Sequence, residues 1–367
     1  MWQEHTPLLN LAQLRERVLA IDPVQYAKTR NFVDGAVSGL SPYISRGVIS
    51  TRWVYEVLVS AGHAPATMEK LVQELAWRDY WQLRWREYPR EIEARSVYQE
   101  LQFEPRLSMP SAVLHHQTSI QAIDAGIELL YATGRMHNHV RMYTASLCCN
   151  ISRAHWLVPA QWMYYHLLDA DWGSNALSWR WVSGEINGKP YFANQENINF
   201  YTHQSQRNTY LDYSYEELPT RAIPDVLVQT EMPVLKTNLP TTPLLNEVME
   251  GDCFIYNYYN LDPQWMAERS GRRILLLEPS VFSQYPISDL NLNWFIQLAQ
   301  YLIPNIEIIT AEFYEIRPMI RGTIYYKEHP FNRYEGVCTE RDWLCDFKKS
   351  FPSFFAYWKQ AKKQLMR

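Results

Sequence analysis

The apolar residues of this chain change their spacing once, between residues 213 and 250. Upstream, LAQLRERVLAI, TMEKLVQELAWRDYWQLRWREY, SIQAIDAGIELLYATG and the run from Met136 to Arg153 set apolar side chains three and four apart. That is the period of helices with one buried face. Downstream, CFIYNYYNL, RRILLLEP, IEIITAEFY and GTIYYKEH are short runs rich in β-branched and aromatic residues. LNWFIQLAQYLI and SFFAYWKQAKKQLMR return to helical spacing. Strands separated by helices predict a small parallel sheet. Between the two regimes Pro219, Pro224, Pro233, Pro240 and Pro243 fall among polar residues, the mark of a linker or wrapping segment. The expected architecture is mainly α. A helical domain covers 1–212, a Pro-rich segment 213–250 and a small α/β domain 251–367.

Composition narrows the setting. The chain has 367 residues, 47% hydrophobic and 20% charged, as in a soluble globular protein with a substantial core. It has neither an apolar run long enough for a bilayer nor the basic start of a signal peptide, so a cytoplasmic location without membrane partners is expected. Five cysteines, one pair adjacent, make a poor disulfide or zinc framework, and free thiols are expected. The net charge of −4 argues against a generally basic surface. From Leu129 to Leu168, however, there is no Asp or Glu, while Arg135, Arg141, Arg153 and four histidines are present. A local basic patch and a helical core segment lacking acids both fit. No phosphate-cradling glycine motif occurs in 251–367.

Three stretches carry polar chemistry in apolar surroundings. In TGRMHNHVRMYTASLCCN, from Thr133, helical spacing puts Asn138, Arg141 and Met142 on one face: an amide, a fixed cation and a thioether. His137 and His139, two apart, diverge on a helix and do not make a metal pair. In QELAWRDYWQLRW, Glu74 heads a stripe of Trp77, Trp81 and Trp85, which is either core or a platform for a flat ligand. A carboxylate beside indoles has a raised pKa and can hydrogen-bond a buried polar ligand. In LLDADWGSNALSWRW, from Leu167, a helix starting at Asp171 lines up Asp171, Asn175 and Trp179, and an inward-bending loop is the alternative. The Asp-x-Asp there lacks the further ligands and glycine of a calcium loop, so no metal is expected.

Taken together these stretches resemble the FAD-binding domain of photolyases and cryptochromes, and the cyclobutane-pyrimidine-dimer photolyases in particular. TG-x-MHN-x-x-RM-x-x-AS at Thr133–Ser146 carries the strongest likeness. EL-x-WR-acid-aromatic at Glu74–Tyr80 and the Asp-x-Asp, Asn and W-x-W pattern at 168–181 follow. SGLSPYISRGVIS at Ser38–Ser50 resembles the serine-rich turn that holds the FAD phosphates. The resemblance covers roughly residues 15–195 and implies an all-helical photolyase-type fold for the first domain.

It also implies roles. Ser38 and Ser41 would hold the pyrophosphate, and Tyr26 stands near the family's cofactor tyrosine. Arg141 would lie by the isoalloxazine and pair with Asp169. Asp171 would accept from flavin N3–H, and Asn175 would face flavin N5. On the substrate side, Glu74 and Asn138 would bond the edges of a flipped-out dimer, Trp77 and Trp181 would wall it, and Met142 would touch it. Arg78 and His139 are candidates for flanking DNA phosphates. Trp179 and then Trp156 would relay electrons. The implied partner is DNA damaged by a pyrimidine dimer, and the implied activity is a light-driven lyase. A cryptochrome-like photoreceptor signalling through 251–367 is the alternative, followed by a non-photochemical flavoprotein.

The chain departs from the family in four places. An α/β segment follows the helical domain where the family has one in front, which leaves an antenna chromophore open. The outermost relay tryptophan aligns near Phe103, with Tyr98 as a substitute. Val37 and Gly39 replace the usual residues of the phosphate turn. Residues 184–199 differ from the segment preceding the family's lesion-side arginines.

Overall fold

The structure, a computed structural model, describes residues 6–89, 92, 105–242 and 248–366. In chain order its helices and strands begin with α1 (Leu11–Leu19), α2 (Pro23–Thr29), α3 (Ser41–Ser45), α4 (Thr51–Ser60) and α5 (Glu69–Glu87). Then come β1 (Met109–Pro110), α6 (Ser111–Leu114), α7 (Gln121–Thr133), α8 (Asn138–Ser146), α9 (Leu157–His166), α10 (Trp172–Val182), α11 (Gln195–Thr202) and β2 (Thr230–Glu231). The remainder is β3 (Cys253–Tyr256), β4 (Arg272–Leu277), α12 (Pro279–Gln284), α13 (Asp289–Leu302), β5 (Glu307–Thr310), α14 (Phe313–Ile316), β6 (Ile324–Lys327), β7 (Val337–Thr339) and α15 (Phe354–Leu365).

The fold is mainly α with a C-terminal parallel sheet, as the periodicity implied. By contacts the chain separates into two compact units. One comprises Met1–Thr6, Lys28–Val37 and Arg90–Leu235; the other comprises Pro7–Ala27, Ser38–Pro89 and Lys236–Arg367. Both units are therefore discontinuous in sequence. Among the described residues no helix is long and apolar enough to cross a membrane.

In the first unit α7 ends at Gly134, whose φ of +67° supplies the left-handed cap. The chain then re-enters a helix at α8, which continues without a break into a π-helical turn at Leu147–Ile151. Val140, Tyr143, Thr144 and Ala145 of α8 are buried, as are Cys148 and Cys149 of the π turn.

In the second unit the five strands run parallel in the order β5-β4-β3-β6-β7. The first strand in sequence is thus central, paired with β4 on one edge and β6 on the other. Alternation in β3 explains its burial on both faces. Cys253 and Ile255 join Ile274, Leu276, Ile309 and Ile324 in one apolar layer. Phe254 points the other way and stacks on Tyr325 at 5.3 Å. In sheets of this winding, ligands bind beyond the carboxyl ends of the strands where the strand order reverses, here between β3 and β6. That position is filled by the protein itself. The Arg46 guanidinium lies 3.3 Å from the Tyr258 ring centroid. Leu261 N donates to Arg46 O at 2.8 Å. Tyr259 stacks on His329 at 4.0 Å. Gly47, at φ +65°, completes the seal: a Cβ there would meet Tyr259 O at 2.4 Å.

Candidate functional site

Ten of the expected residues belong to the first unit. They are built on α8, α9, α10 and the turns around them. Helix α8 starts at Asn138 because His137 caps it. His137 Nδ1 accepts from His139 N at 3.2 Å, and Nε2 sits 3.1 Å from Arg30 O. Burial pushes both His137 and His139 down to about 4, so both are neutral near neutral pH. The His139 ring stands edge-on to Tyr201 at 4.7 Å. A neutral imidazole offers a phosphate a hydrogen bond but no charge.

One turn on, Arg141 is fixed from two directions. Its Nε donates to Met136 O at 2.9 Å, and its Nη2 donates to both carboxylate oxygens of Asp169, each at 3.0 Å. The Asp169 side chain is only 6% exposed and the Arg141 side chain 25%, so the pair is largely desolvated. Such a pair orients both partners strongly, and losing either one strands a charge. Asn138 is exposed at the head of α8, and its Nδ2 lies 3.8 Å from Met142 Sδ.

Asp171 caps α10, its Oδ1 accepting from Ser174 N at 2.7 Å. Helix α10 does begin at this point, so the helical alternative for the stretch holds and the inward loop does not. Asn175 lies one turn further and donates from Nδ2 to Ala160 O at 2.8 Å, which ties α10 to α9. Between the two, the Ser174 hydroxyl is buried without a hydrogen-bond partner among the described residues. Trp179 and Trp156 are buried. Trp181 is half-buried, 6.0 Å from the Tyr191 ring. The proposed outer relay positions, Phe103 and Tyr98, lie outside the described residues.

The other six belong to the second unit. Tyr26 is half-buried on α2. Ser38 Oγ accepts from Leu40 N at 3.4 Å, and Ser41 opens α3. Glu74, Trp77 and Arg78 share α5. Arg78 Nη1 donates to Ser45 Oγ at 2.8 Å, which joins α5 to the serine-rich turn. Trp77 is engaged on one face, with Phe354 of α15 stacked on it at 3.5 Å between centroids and 8° between planes. Trp81 lies 5.1 Å away, tilted.

Two polar groups carry no role in the sequence reading. Glu185, just beyond α10, is 7% exposed and meets Arg180 Nε at 3.2 Å and His155 Nε2 at 3.8 Å. Burial raises it above the usual carboxylate range, against the pull of Arg180. A lone Glu in a glycine-flanked loop carries no signal of this. Asp79 sits between aromatics in WRDYW, and that flanking was the available clue. Its carboxylate takes Thr51 Oγ1 at 2.8 Å and Leu344 N at 2.7 Å. Burial lifts it to about 6 despite those donors. A cavity of about 510 Å³ opens beyond β4 and β5, lined by Glu278, Ser280, Glu312, Arg317, Phe331 and Arg333 among others.

Residues 71–233 match the family described as the FAD binding domain of DNA photolyase. A deoxyribodipyrimidine photo-lyase from Synechococcus sp. is 30% identical over 198 residues, 51% of this chain and 40% of that protein. Cryptochrome-1 from Sinapis alba is 27% identical over 176 residues, 44% of this chain and 35% of that protein. Among solved structures, a class III photolyase from Agrobacterium tumefaciens aligns with a TM-score of 0.42 and 23% identity, covering 52% of this chain and 44% of that one. The chain thus spans less than half the length of these relatives.

Proposed function

We propose that this protein binds FAD and uses light to split cyclobutane pyrimidine dimers in DNA. The observation that carries the reading is the desolvated Arg141–Asp169 pair on a helix that also presents Asn138 and Met142. Asp171 and Asn175 follow at the start of α10, with the buried Ser174 hydroxyl between them. This donor set fits a flat ring with polar edges. It contains a fixed cation, two carboxylates, an amide and a buried hydroxyl without a partner among the described residues. When bound in its reduced state, FAD supplies light-driven one-electron donation, the chemistry that opens a cyclobutane ring and recovers the electron.

The residues of the chain hold and orient. Arg141, kept rigid by Asp169 and Met136 O, stabilises negative charge on the ring. Asp171 would accept from the imide N–H of the ring, and Asn175 would face its reactive nitrogen. Ser38 and Ser41 donate to the pyrophosphate, and Tyr26 lies against the cofactor. Glu74 and Asn138 would bond the dimer edges, Trp77 and Trp181 would provide apolar walls, and Met142 would touch the dimer. Arg78 meets backbone phosphate as a cation and His139 as a neutral donor. Trp179 and then Trp156, both buried, would supply the route for photoreduction.

The test is repair of a dimer-containing oligonucleotide under blue light by protein shown to hold reduced FAD. Appearance of unmodified thymines supports the reading, and an unchanged dimer rejects it. Trp179→Phe is expected to slow photoreduction at least about tenfold and to leave repair by chemically reduced protein intact. A second reading, a blue-light photoreceptor with little repair, is favoured by one observation: the Trp77 face stacked by Phe354. It predicts a light-dependent change in oligomer or partner binding in place of dimer loss.

A further inference from the structure

We propose that α15 is a releasable cover over the aromatic face of α5, with Phe354 standing where a flat base would stack on Trp77. The inference rests on the proposed role of Trp77 in binding the lesion. Its geometric basis is independent of that role. Two rings 3.5 Å apart and 8° from parallel make a face-to-face stack, the arrangement a nucleobase adopts on an indole. Phe354 is buried to 3% exposure.

The cover is laid along the whole helix. Tyr357 contacts Tyr80 at 5.9 Å, and Lys362 Nζ reaches Glu69 at the start of α5. At the other end, Glu87 accepts from Ser350 N, and Arg86 Nη2 donates to Lys348 O at 3.0 Å. These polar ties are exposed, and exposed ties contribute little each. Firm anchoring comes one step earlier in the chain. There, buried Asp79 holds Leu344 N, and Arg341 donates to Gln82 Oε1 at 2.7 Å. The segment is thus tethered at 341–344; from 348 on its polar ties are the exposed ones and the bond that Tyr55 Oη donates to Leu365 O. Helix α15 gains by burying Phe354, Tyr357, Trp358, Ala361 and Leu365, but ordering its twelve residues costs entropy of the same size. The neighbouring Phe355 points out at 71% exposure, so α15 already offers one aromatic ring to solvent.

Release would uncover Trp77 while the tether keeps α15 nearby, so cover and base compete intramolecularly. The prediction is that weakening the stack strengthens lesion binding. Binding of a fluorescent single-stranded oligonucleotide, with and without a thymine dimer, is measured by anisotropy on full-length wild type, Phe354→Ala and Phe354→Leu. The leucine variant keeps apolar burial and serves if the alanine variant fails to fold by thermal melting. About five- to tenfold tighter binding of the dimer oligonucleotide, without change for the undamaged strand, is expected. Unchanged or weaker binding in a folded variant, with measurable binding by wild type, overturns the proposal. If no form binds the dimer strand, the repair reading fails, and hydrogen exchange of free protein decides the cover alone. Amides of 354–365 exchanging much faster than those of β4 support release, and exchange at the β4 rate overturns it.

Discussion

Helices α5 and α8 carry similar side chains into opposite circumstances. On α8 the polar residues are held by fixed partners at their bases, Arg141 by Asp169 and His139 beside Tyr201, and Asn138 remains exposed at the head. On α5 the aromatic stripe is engaged by the chain's own C-terminal helix, and its one deeply buried acid, Asp79, serves the attachment. Motif residues alone therefore do not separate a presented site from a covered one. The difference is made by what the chain brings from elsewhere, and for α5 that is a segment more than 250 residues downstream.

The largest break in the comparison is expected from Arg141→Ala. It leaves Asp169 as a buried charge without its ion-pair partner, at a cost of about 3–5 kcal/mol in chemical denaturation and, on the proposed function, with loss of bound flavin. Acid sharpens the comparison next. Asp79 releases its proton near 6 when folded and near 3.8 when unfolded. Between those values the folded state holds the extra proton, so acidification from pH 6 to 4 stabilises through α5. His137 behaves oppositely, since it protonates near 6.5 unfolded and near 4 folded, and the same acidification destabilises through α8. Asp79→Asn removes only the first contribution. Its stability between pH 6 and 4 should fall more steeply than that of wild type, by about 2 kcal/mol across the interval, as read from denaturation midpoints.

A smaller effect is expected at the seal over the sheet. Gly47→Ala places a Cβ against Tyr259 O at a positive φ and should cost about 1–3 kcal/mol in thermal melts. The smallest stability change belongs to Asn138→Ala. On an exposed site it should shift stability by no more than about 0.5 kcal/mol. On the proposed function it should weaken dimer binding about tenfold in the anisotropy assay, a loss of about 1.4 kcal/mol.

Much of this was legible in residue spacing, because local spacing decides local structure. The helices around Glu74 and Asn138, and the strands at 253–256, 272–277, 307–310 and 324–327, follow from apolar periods that do not depend on distant partners. Helix α10 was readable as one of two options, and the Asp171 cap decides between them. The short strand β7 left no periodic trace, since three mostly exposed residues form it only by pairing with β6. Long-range facts were illegible for the same reason. No pattern near Trp77 points to Phe354, and none near Arg46 points to Tyr258. The compact units likewise cut across consecutive blocks of sequence, because they are defined by such contacts.

The discontinuity of the second unit has a consequence for how the chain is made. Arg52 must find the carbonyl of Trp343, 291 residues away, and Tyr55 the carbonyl of Leu365, 310 residues away. The entropy of closing such loops grows only logarithmically with length, so the finished protein loses little stability by it. The rate is another matter, because distant pairing slows folding. On the ribosome, residues 38–89 emerge long before the segment that completes them, and the tryptophan stripe of α5 waits uncovered meanwhile. Synthesis of this protein should therefore depend on chaperones more than its size suggests. Slowing translation should not help, since the missing partner is encoded more than 250 residues downstream.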